Sequence, residues 1–400
     1  MTQHIALIEQ RLTALDQQSL RRRRRVTTTP CAAVMQVDGS SMLAFCSNDY
    51  LGLAAHPQIQ QALIDGVNLY GAGSGASHLI SGHSVAHVLL EQRLAQMQSA
   101  YIPQADALYL STGYMANLAV LSGLATADPG QTEIFSEQLN HASLIDAAKL
   151  ARCPVSIYPH ADVAALELLL QQSQARTKIV VTDSVFSMDG VIAPLTALLA
   201  LCEQYDATLV IDDAHGFGVL GSNGAGVLEQ LNLCSSRLVY MGTLGKAAGV
   251  SGAFVVAHAS MIDWLVQKAR PYIYTTAAPP ALAHALLTSL DIICGAEGAQ
   301  RRAHLSTLIQ QFKSGIGSGI SGLSLLASDT QIQPLIVGAN HTAMLYAAQL
   351  VERGIWVPAI RPPTVPAGTA RLRVTLSAAH SSAQVALLID ELLGLQKQAA

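Results

Sequence analysis

Thr208-Leu209-Val210-Ile211-Asp212-Asp213-Ala214-His215-Gly216 is a short apolar, β-branched run that stops on two acids. Such a run, apolar on both faces, reads as a strand buried on both sides of a sheet. Outward from it the same kind of segment recurs at Ala105–Leu110, Glu133–Phe135, Val155–Tyr158, Lys178–Thr182, Leu238–Met241 and Ala253–Val256. Helical spacing fills most of the intervals, at Ala116–Ala125, Ala142–Leu150, Val163–Gln171 and Leu195–Tyr205. The alternation predicts an α/β fold with a mostly parallel central sheet and helices on both faces.

The flanks differ. Residues Ile5 to Arg23 carry helical spacing, and Asp38-Gly39 between two apolar runs makes Met35 to Phe45 a predicted β-hairpin. After Pro279-Pro280 the chain is strongly helical to about Gly315. Predicted strands follow near Ile332–Val337 and Arg371–Leu376, and then a last helix capped by Ser381 or Ser382. Its apolar face is Val385, Leu388, Ile389 and Leu392. The expected organisation is an N-terminal arm over 1–50, a large α/β domain over 51–284 and a smaller α+β domain over 285–400.

Composition narrows the class. Half of the 400 residues are hydrophobic and 12% are charged, so a large core is available. No apolar run reaches the roughly 18 to 20 residues of a membrane span, and no signal peptide is visible, so a cytoplasmic protein with no membrane partner is expected. The six cysteines are dispersed without a CxxC pair, as free thiols in a reducing compartment would be. Net charge is −4, and no nucleic-acid partner is expected. Arg21–Arg25 is a local exception, either a solvated helix end or a contact for an anionic substrate.

In open α/β sheets ligands gather at the carboxyl ends of the strands. Ser111-Thr112-Gly113-Tyr114 follows the first run with small residues at a strand-to-helix turn, a place where free N–H groups hold anions. Asp212-Asp213 could bind a metal, act as acid and base, pair with a cation, or cap a helix. Thr243-Leu244-Gly245-Lys246-Ala247-Ala248-Gly249 sets a lysine among small uncharged neighbours, which is what a Schiff-base lysine needs. An anion cup, a strand-end acid and a pocketed lysine are together the parts of a pyridoxal 5'-phosphate site. No metal is expected, because His141, Asp212 and His215 lack further compact ligands. His83 and His87 read as helix-surface histidines, Asp183 and Asp189 as turn and cap residues, and Asp213 as structural.

Several stretches resemble the α-oxoamine synthases, within the fold-type I pyridoxal-phosphate enzymes. They are Ser47-Asn48-Asp49-Tyr50-Leu51-Gly52-Leu53, Gly73-Ser74-Gly75, Asn140-His141-Ala142-Ser143-Leu144, Phe186-Ser187-Met188-Asp189-Gly190, Asp212-Asp213-Ala214-His215-Gly216 and Thr243-Leu244-Gly245-Lys246. The resemblance covers nearly the whole chain. It implies Lys246 as the Schiff-base lysine, Asp212 at the pyridine nitrogen, His215 at the ring hydroxyl and His141 stacked on the ring. It further implies backbone N–H groups of Gly113 and Tyr114, and the Thr243 hydroxyl, at the phosphate, with Ser187 near the reacting groups. Arg361 is implied to bind the amino-acid carboxylate, with Asn48 and Arg21 lining the substrate side. Thr275 and Thr276 match a segment that reaches the phosphate of the neighbouring subunit in a homodimer. One departure is that Ser77-His78 stands where many members have Ser-Arg.

Ala359-Ile360-Arg361-Pro362-Pro363-Thr364-Val365-Pro366 and Thr369-Ala370-Arg371-Leu372-Arg373 resemble the branch of the family that condenses L-alanine with a pimeloyl thioester, carried on coenzyme A (pimeloyl-CoA) or on acyl carrier protein, towards biotin. The alternatives are a sister activity such as glycine C-acetyltransferase, another pyridoxal-phosphate reaction such as transamination, and a non-catalytic partner subunit.

Overall fold

The computed structural model describes residues 2–317 and 323–395, which pack as two compact units. One comprises residues 53–187 and 192–302. The other comprises the described residues within 1–52, 188–191 and 303–400.

The first unit is built on seven strands: β1 (Ala105–Leu110), β2 (Thr132–Glu137), β3 (Val155–Tyr158), β4 (Thr177–Asp183), β5 (Ala207–Asp212), β6 (Leu238–Thr243) and β7 (Ala253–His258). Their order across the sheet is β1-β7-β6-β5-β4-β2-β3. All pairings are parallel except those of β7, which is antiparallel to both neighbours. Each predicted run is therefore a strand of this sheet. Val181, Val210, Val239 and Val255 are fully or almost fully buried, and helices Gly113–Leu124, Ala142–Leu150 and Ala259–Lys268 cover them with Val120, Leu144 and Leu265. β-Branched side chains suit such a doubly covered sheet.

The helical stretch after Pro279-Pro280 is two helices, Pro280–Cys294 and Ala296–Ile316, separated at Gly295. The first packs on helix Pro57–Tyr70 at Gly66, where an added Cβ would lie 2.9 Å from Ala281 Cα. This unit consequently extends to Arg302, beyond the boundary of 285 expected from sequence.

The second unit holds a four-stranded antiparallel sheet (Ser324–Leu325, Ile332–Gly338, Ala370–Thr375 and Ala359–Ile360) and the predicted hairpin, Val34–Val37 with Ser40–Ala44. Asp38 and Gly39 both have positive φ, as a two-residue type I′ turn requires. The last helix, Ser382–Gly394, starts at a capping box of Ser381 and Gln384 and buries Val385, Leu388, Ile389 and Leu392. The first helix is shorter than its spacing predicts. It spans Gln3–Gln17, and Ser19 then turns into left-handed geometry, so the five arginines are not helical. Adjacent like charges give a helix end no support there.

Candidate active site

The carboxyl ends of β4, β5 and β6 and two helix N-termini bring most of the expected groups into one unit. Asp212 ends β5, buried, and its Oδ1 accepts the Ala214 N–H at 2.9 Å. Asn117, also buried, donates from Nδ2 to Asp212 Oδ2 at 2.7 Å and to Ser143 Oγ at 2.8 Å. Ser143 Oγ is in turn 2.7 Å from His141 Nδ1. With the amide spending its hydrogens on Ser143, the serine hydroxyl is left to donate to the imidazole. One chain of hydrogen bonds thus fixes both the strand-end acid and the histidine.

His141 caps helix Ala142–Leu150, its Nδ1 facing the Ser143 N–H. Its backbone N–H donates to Asp183 Oδ2 at 2.6 Å. Desolvation, and secondarily the Lys246 charge, hold the His141 ring below its usual basicity, with Asp212 opposing. Asp183 ends β4 as the register partner of Asp212. Burial, reinforced by the Asp212 charge, raises its carboxyl well above the ordinary range. The sequence expectation of a turn or cap residue understates it, for Asp183 is a buried acid that grips the His141 backbone.

Lys246 follows β6 and is half-buried, with Nζ 2.8 Å from Nε2 of the buried His215. Asp213 faces away from this pair. It accepts from Tyr240 Oη at 2.7 Å, from the Val227 N–H at 2.8 Å and from the Ser184 hydroxyl, and burial pushes its carboxyl up to about 7. Those bonds are the ones a structural acid makes.

At the other wall, Thr112 caps helix Gly113–Leu124, accepting the Met115 N–H. The first N–H groups of a helix have no partner inside it, so those of Gly113 and Tyr114 are free to meet an anion. A Cβ on Gly113 would lie 3.8 Å from Thr243 Oγ1, so hydroxyl and helix start adjoin. The Thr243 hydroxyl proton goes to Gly252 O at 3.1 Å, which leaves its oxygen as an acceptor. The Tyr114 hydroxyl is engaged by Asp146. Ser187 is half-buried. Thr275 is half-buried, and Thr276 is exposed and bridged to Ser77.

These groups fit pyridoxal phosphate: a helix start for the phosphate, a buried acid for the ring nitrogen, and an amine beside a histidine. Asn117 and Ser143 were missed as site residues, although Ser143 lies in the motif quoted for His141 and Asn117 in the helical stretch Ala116–Ala125. A polar side chain one turn into a buried helix was the available signal.

Arg361, Asn48 and Arg21 belong to the second unit. Arg361 is half-buried and donates to Ser19 O. It lines a cavity of about 280 Å³ with Arg22 and Arg23, and desolvation and the Arg22 charge lower its basicity. Arg21 instead pairs with Asp16 at 2.6 Å. Asn48 Oδ1 accepts from the Tyr50 hydroxyl at 3.1 Å and from Arg373 at 3.4 Å. Asp189, expected as a turn or cap residue, forms an ion pair with the buried Arg371. His87, expected on a helix surface, is fully buried: as the third residue of helix Val85–Gln98 it closes a capping box with Ser84.

Fold and site together define a fold-type I, pyridoxal-phosphate-dependent transferase. The model of the aminotransferase class I and II family matches residues 40–392. The chain belongs to that family and, within it, to the 8-amino-7-oxononanoate synthases. It is 65% identical to the 8-amino-7-oxononanoate synthase of Janthinobacterium sp. (strain Marseille), covering 100% of both chains, and 60% identical to that of Bordetella petrii, covering 97% of each. Among solved structures, serine palmitoyltransferase from S. paucimobilis superposes with a TM-score of 0.89 at 26% identity, over 98% of this chain and 97% of that one.

Proposed function

We propose that the chain condenses L-alanine with a pimeloyl thioester, carried on coenzyme A or acyl carrier protein, and releases 8-amino-7-oxononanoate, carbon dioxide and the carrier thiol, in biotin formation. The observation that carries this reading is the 65% identity to such a synthase along the whole chain. The Lys246–His215 and Asn117–Asp212 bonds in its site support it.

When bound, pyridoxal phosphate supplies an aldehyde that condenses with amines and a protonated ring that takes up the electron pair released at Cα. The N–H groups of Gly113 and Tyr114 would hold the phosphate, joined by the Thr243 hydroxyl once its proton turns from Gly252 O. Asp212, fixed by Asn117 and Ala214, would keep the ring-nitrogen proton in place. His141 would cover the ring face, and His215 and Ser187 would serve the ring hydroxyl. Lys246 Nζ, oriented by His215, takes the Cα proton of alanine and returns a proton to the product after carbon dioxide leaves. Arg361 would grip the alanine carboxylate through its fork and so orient the Cα–H bond. The cavity of about 280 Å³ that Arg361 lines with Arg22 and Arg23 supports that role, since three cationic residues and no acid are among the described residues that line it. Asn48 and Arg21 line the substrate side, Arg21 after yielding its pairing with Asp16.

The same reading makes the enzyme a cytoplasmic homodimer. Ile80, Tyr274 and Val85 are apolar and exposed, and they flank the Ser77–Thr276 bridge. Such a patch favours a neighbouring subunit that the Thr275-Thr276 segment would reach. Among the described residues no helix is long and apolar enough to cross a membrane.

A steady-state survey tests the assignment. Alanine, glycine and serine are each offered with pimeloyl-CoA, pimeloyl-acyl carrier protein, acetyl-CoA and palmitoyl-CoA, and carbon dioxide and thiol are followed. Alanine with a pimeloyl thioester should give the highest kcat/KM, releasing both products in equal amounts. Preferred turnover of glycine with acetyl-CoA, or of serine with palmitoyl-CoA, overturns it.

A further inference from the structure

Behind the Ser77–Thr276 bridge lie three histidines that the reaction leaves unused. His78 and His87 are buried, and His83 reaches the surface. Nδ1 of His78 is 2.9 Å from Nδ1 of His83, and the ring of His87 lies 5.0 Å from the first and 5.6 Å from the second. One nitrogen from each ring can be chosen so that all three lie within 4.8 Å of one another. Two imidazole nitrogens that face each other share a single proton, so at least one lone pair already points into the cluster.

The outer contacts follow the pattern that steadies ligating histidines, whose other nitrogen bonds to a carbonyl or carboxylate. His87 Nε2 lies 2.9 Å from Ala278 O, which leaves Nδ1 as its lone-pair side; that nitrogen now accepts the Ser84 N–H at 3.1 Å. His83 Nε2 lies 3.6 Å from Glu91 Oε2. His78, His83 and Glu91 open on a cavity of about 620 Å³ that Asp106 and Asp263 also line, with no lysine or arginine in its described wall.

We propose that His78, His83 and His87 form a binding site for a divalent transition metal of the zinc class, with Glu91 behind His83 and the fourth position open to this cavity. Three histidines and an open position suit Zn²⁺ or Co²⁺, with nitrogens at about 2.0–2.1 Å. Zn–N bonds of about 2.0–2.1 Å set neighbouring ligand nitrogens roughly 3.3 Å apart, so those of His78 and His83, now 2.9 Å apart, must part slightly, and His87 Nδ1 must turn from the Ser84 N–H to the ion. The site also ties the 78–87 turn to the Thr276–Ala278 segment, through Ser77 and His87. This assignment departs from the expectation of no metal and from the reading of His83 and His87 as helix-surface histidines rather than ligands.

The test uses tag-free holoenzyme, treated with chelator and dialysed. Co²⁺ is titrated while its visible ligand-field band is followed, and Zn²⁺ by calorimetry. One ion per chain is expected, with Zn²⁺ displacing the cobalt band and raising Tm. His83→Gln and His78→Gln should each weaken Zn²⁺ binding by about 100-fold or more, and Glu91→Gln by about 10- to 100-fold. His83→Gln keeps the helix cap and the buried rings, so it decides the matter if His78→Gln fails to fold. No stoichiometric binding to the wild type, or binding unchanged in His83→Gln, overturns the proposal.

Discussion

Replacing Asn117 by alanine removes the two hydrogen bonds by which one amide fixes Asp212 and Ser143. The bond to Asp212 is 2.7 Å long, buried and made to a carboxylate, the kind worth about 1.5–3 kcal/mol. If Asp212 must be held in one orientation to keep the ring-nitrogen proton, that energy is lost at the transition state. At about 1.4 kcal/mol per factor of ten, kcat/KM should fall about 10- to 150-fold. The affinity of the apoenzyme for pyridoxal phosphate, titrated by absorbance, should fall with it. Ser143→Ala is the control. It cuts the 2.7 Å link to His141 and the 2.8 Å bond from Asn117 but leaves the Asn117–Asp212 bond, so the bonds at stake are neutral ones of about 0.5–1.5 kcal/mol each. Its expected loss is smaller than that of Asn117→Ala. Circular dichroism and Tm establish that both variants fold. A folded Asn117→Ala enzyme within about threefold of wild type in both assays would refute the reasoning. A larger loss in Ser143→Ala than in Asn117→Ala would assign the network to His141 instead.

Borohydride reduction of the holoenzyme followed by peptide mapping should put the cofactor on Lys246, and a label on another lysine would remove that assignment. Gly66→Ala should lower Tm, because a Cβ 2.9 Å from Ala281 Cα and 3.0 Å from its oxygen costs about 1–3 kcal/mol, against about 1 kcal/mol gained in helix propensity. Asp213, with its carboxyl raised to about 7 from 3.8, contributes stability that is complete below pH 3.8 and lost as pH rises through about 7; Asp213→Asn should flatten the fall of Tm across that window, and an unchanged slope would contradict it. Asp183→Asn keeps an acceptor for the His141 N–H and should retain activity within a few-fold, whereas Asp183→Ala should lose far more; equal losses would mean that the acid itself is required.

The seven strands were legible because each is a compact β-branched run buried on both faces, and such runs stand out without a partner in view. Their order was not, since residues 105–110 and 253–258 become neighbours only through pairing across most of the unit. Lys246 and Asp212 announced themselves by neighbours in sequence: small residues around one, a strand end before the other. Asn117 did not, because its meaning is a bond to Asp212, 95 residues away. His87 was misread for a related reason. Periodicity on helix Val85–Gln98 leaves little contrast between faces, and the partner that buries it, Ala278, comes from a distant segment. The helix over the arginine run failed on a backbone conformation at Ser19 that no apolar pattern encodes.

On the proposed roles, chemistry and selectivity lie on different parts of the chain. The groups that fit the cofactor (Gly113, His141, Asp212, His215, Thr243 and Lys246) all belong to the unit built on the seven-stranded sheet. They sit at strand ends and helix starts, positions fixed by the backbone itself. A fold that keeps those ends in place keeps the reaction type, which explains how serine palmitoyltransferase, at 26% identity, shares the architecture over 98% of the chain. Arg361, Arg22 and Arg23 belong to the other unit and sit in extended segments and loops. Loops change without disturbing a sheet, so substrate choice can drift there while the lysine and its acid stay. On this argument, exchanging residues 359–366 for the matching loop of a serine palmitoyltransferase should shift amino-acid preference and leave the Lys246–cofactor bond intact. Loss of cofactor attachment in such a folded chimera would mean that the division is wrong.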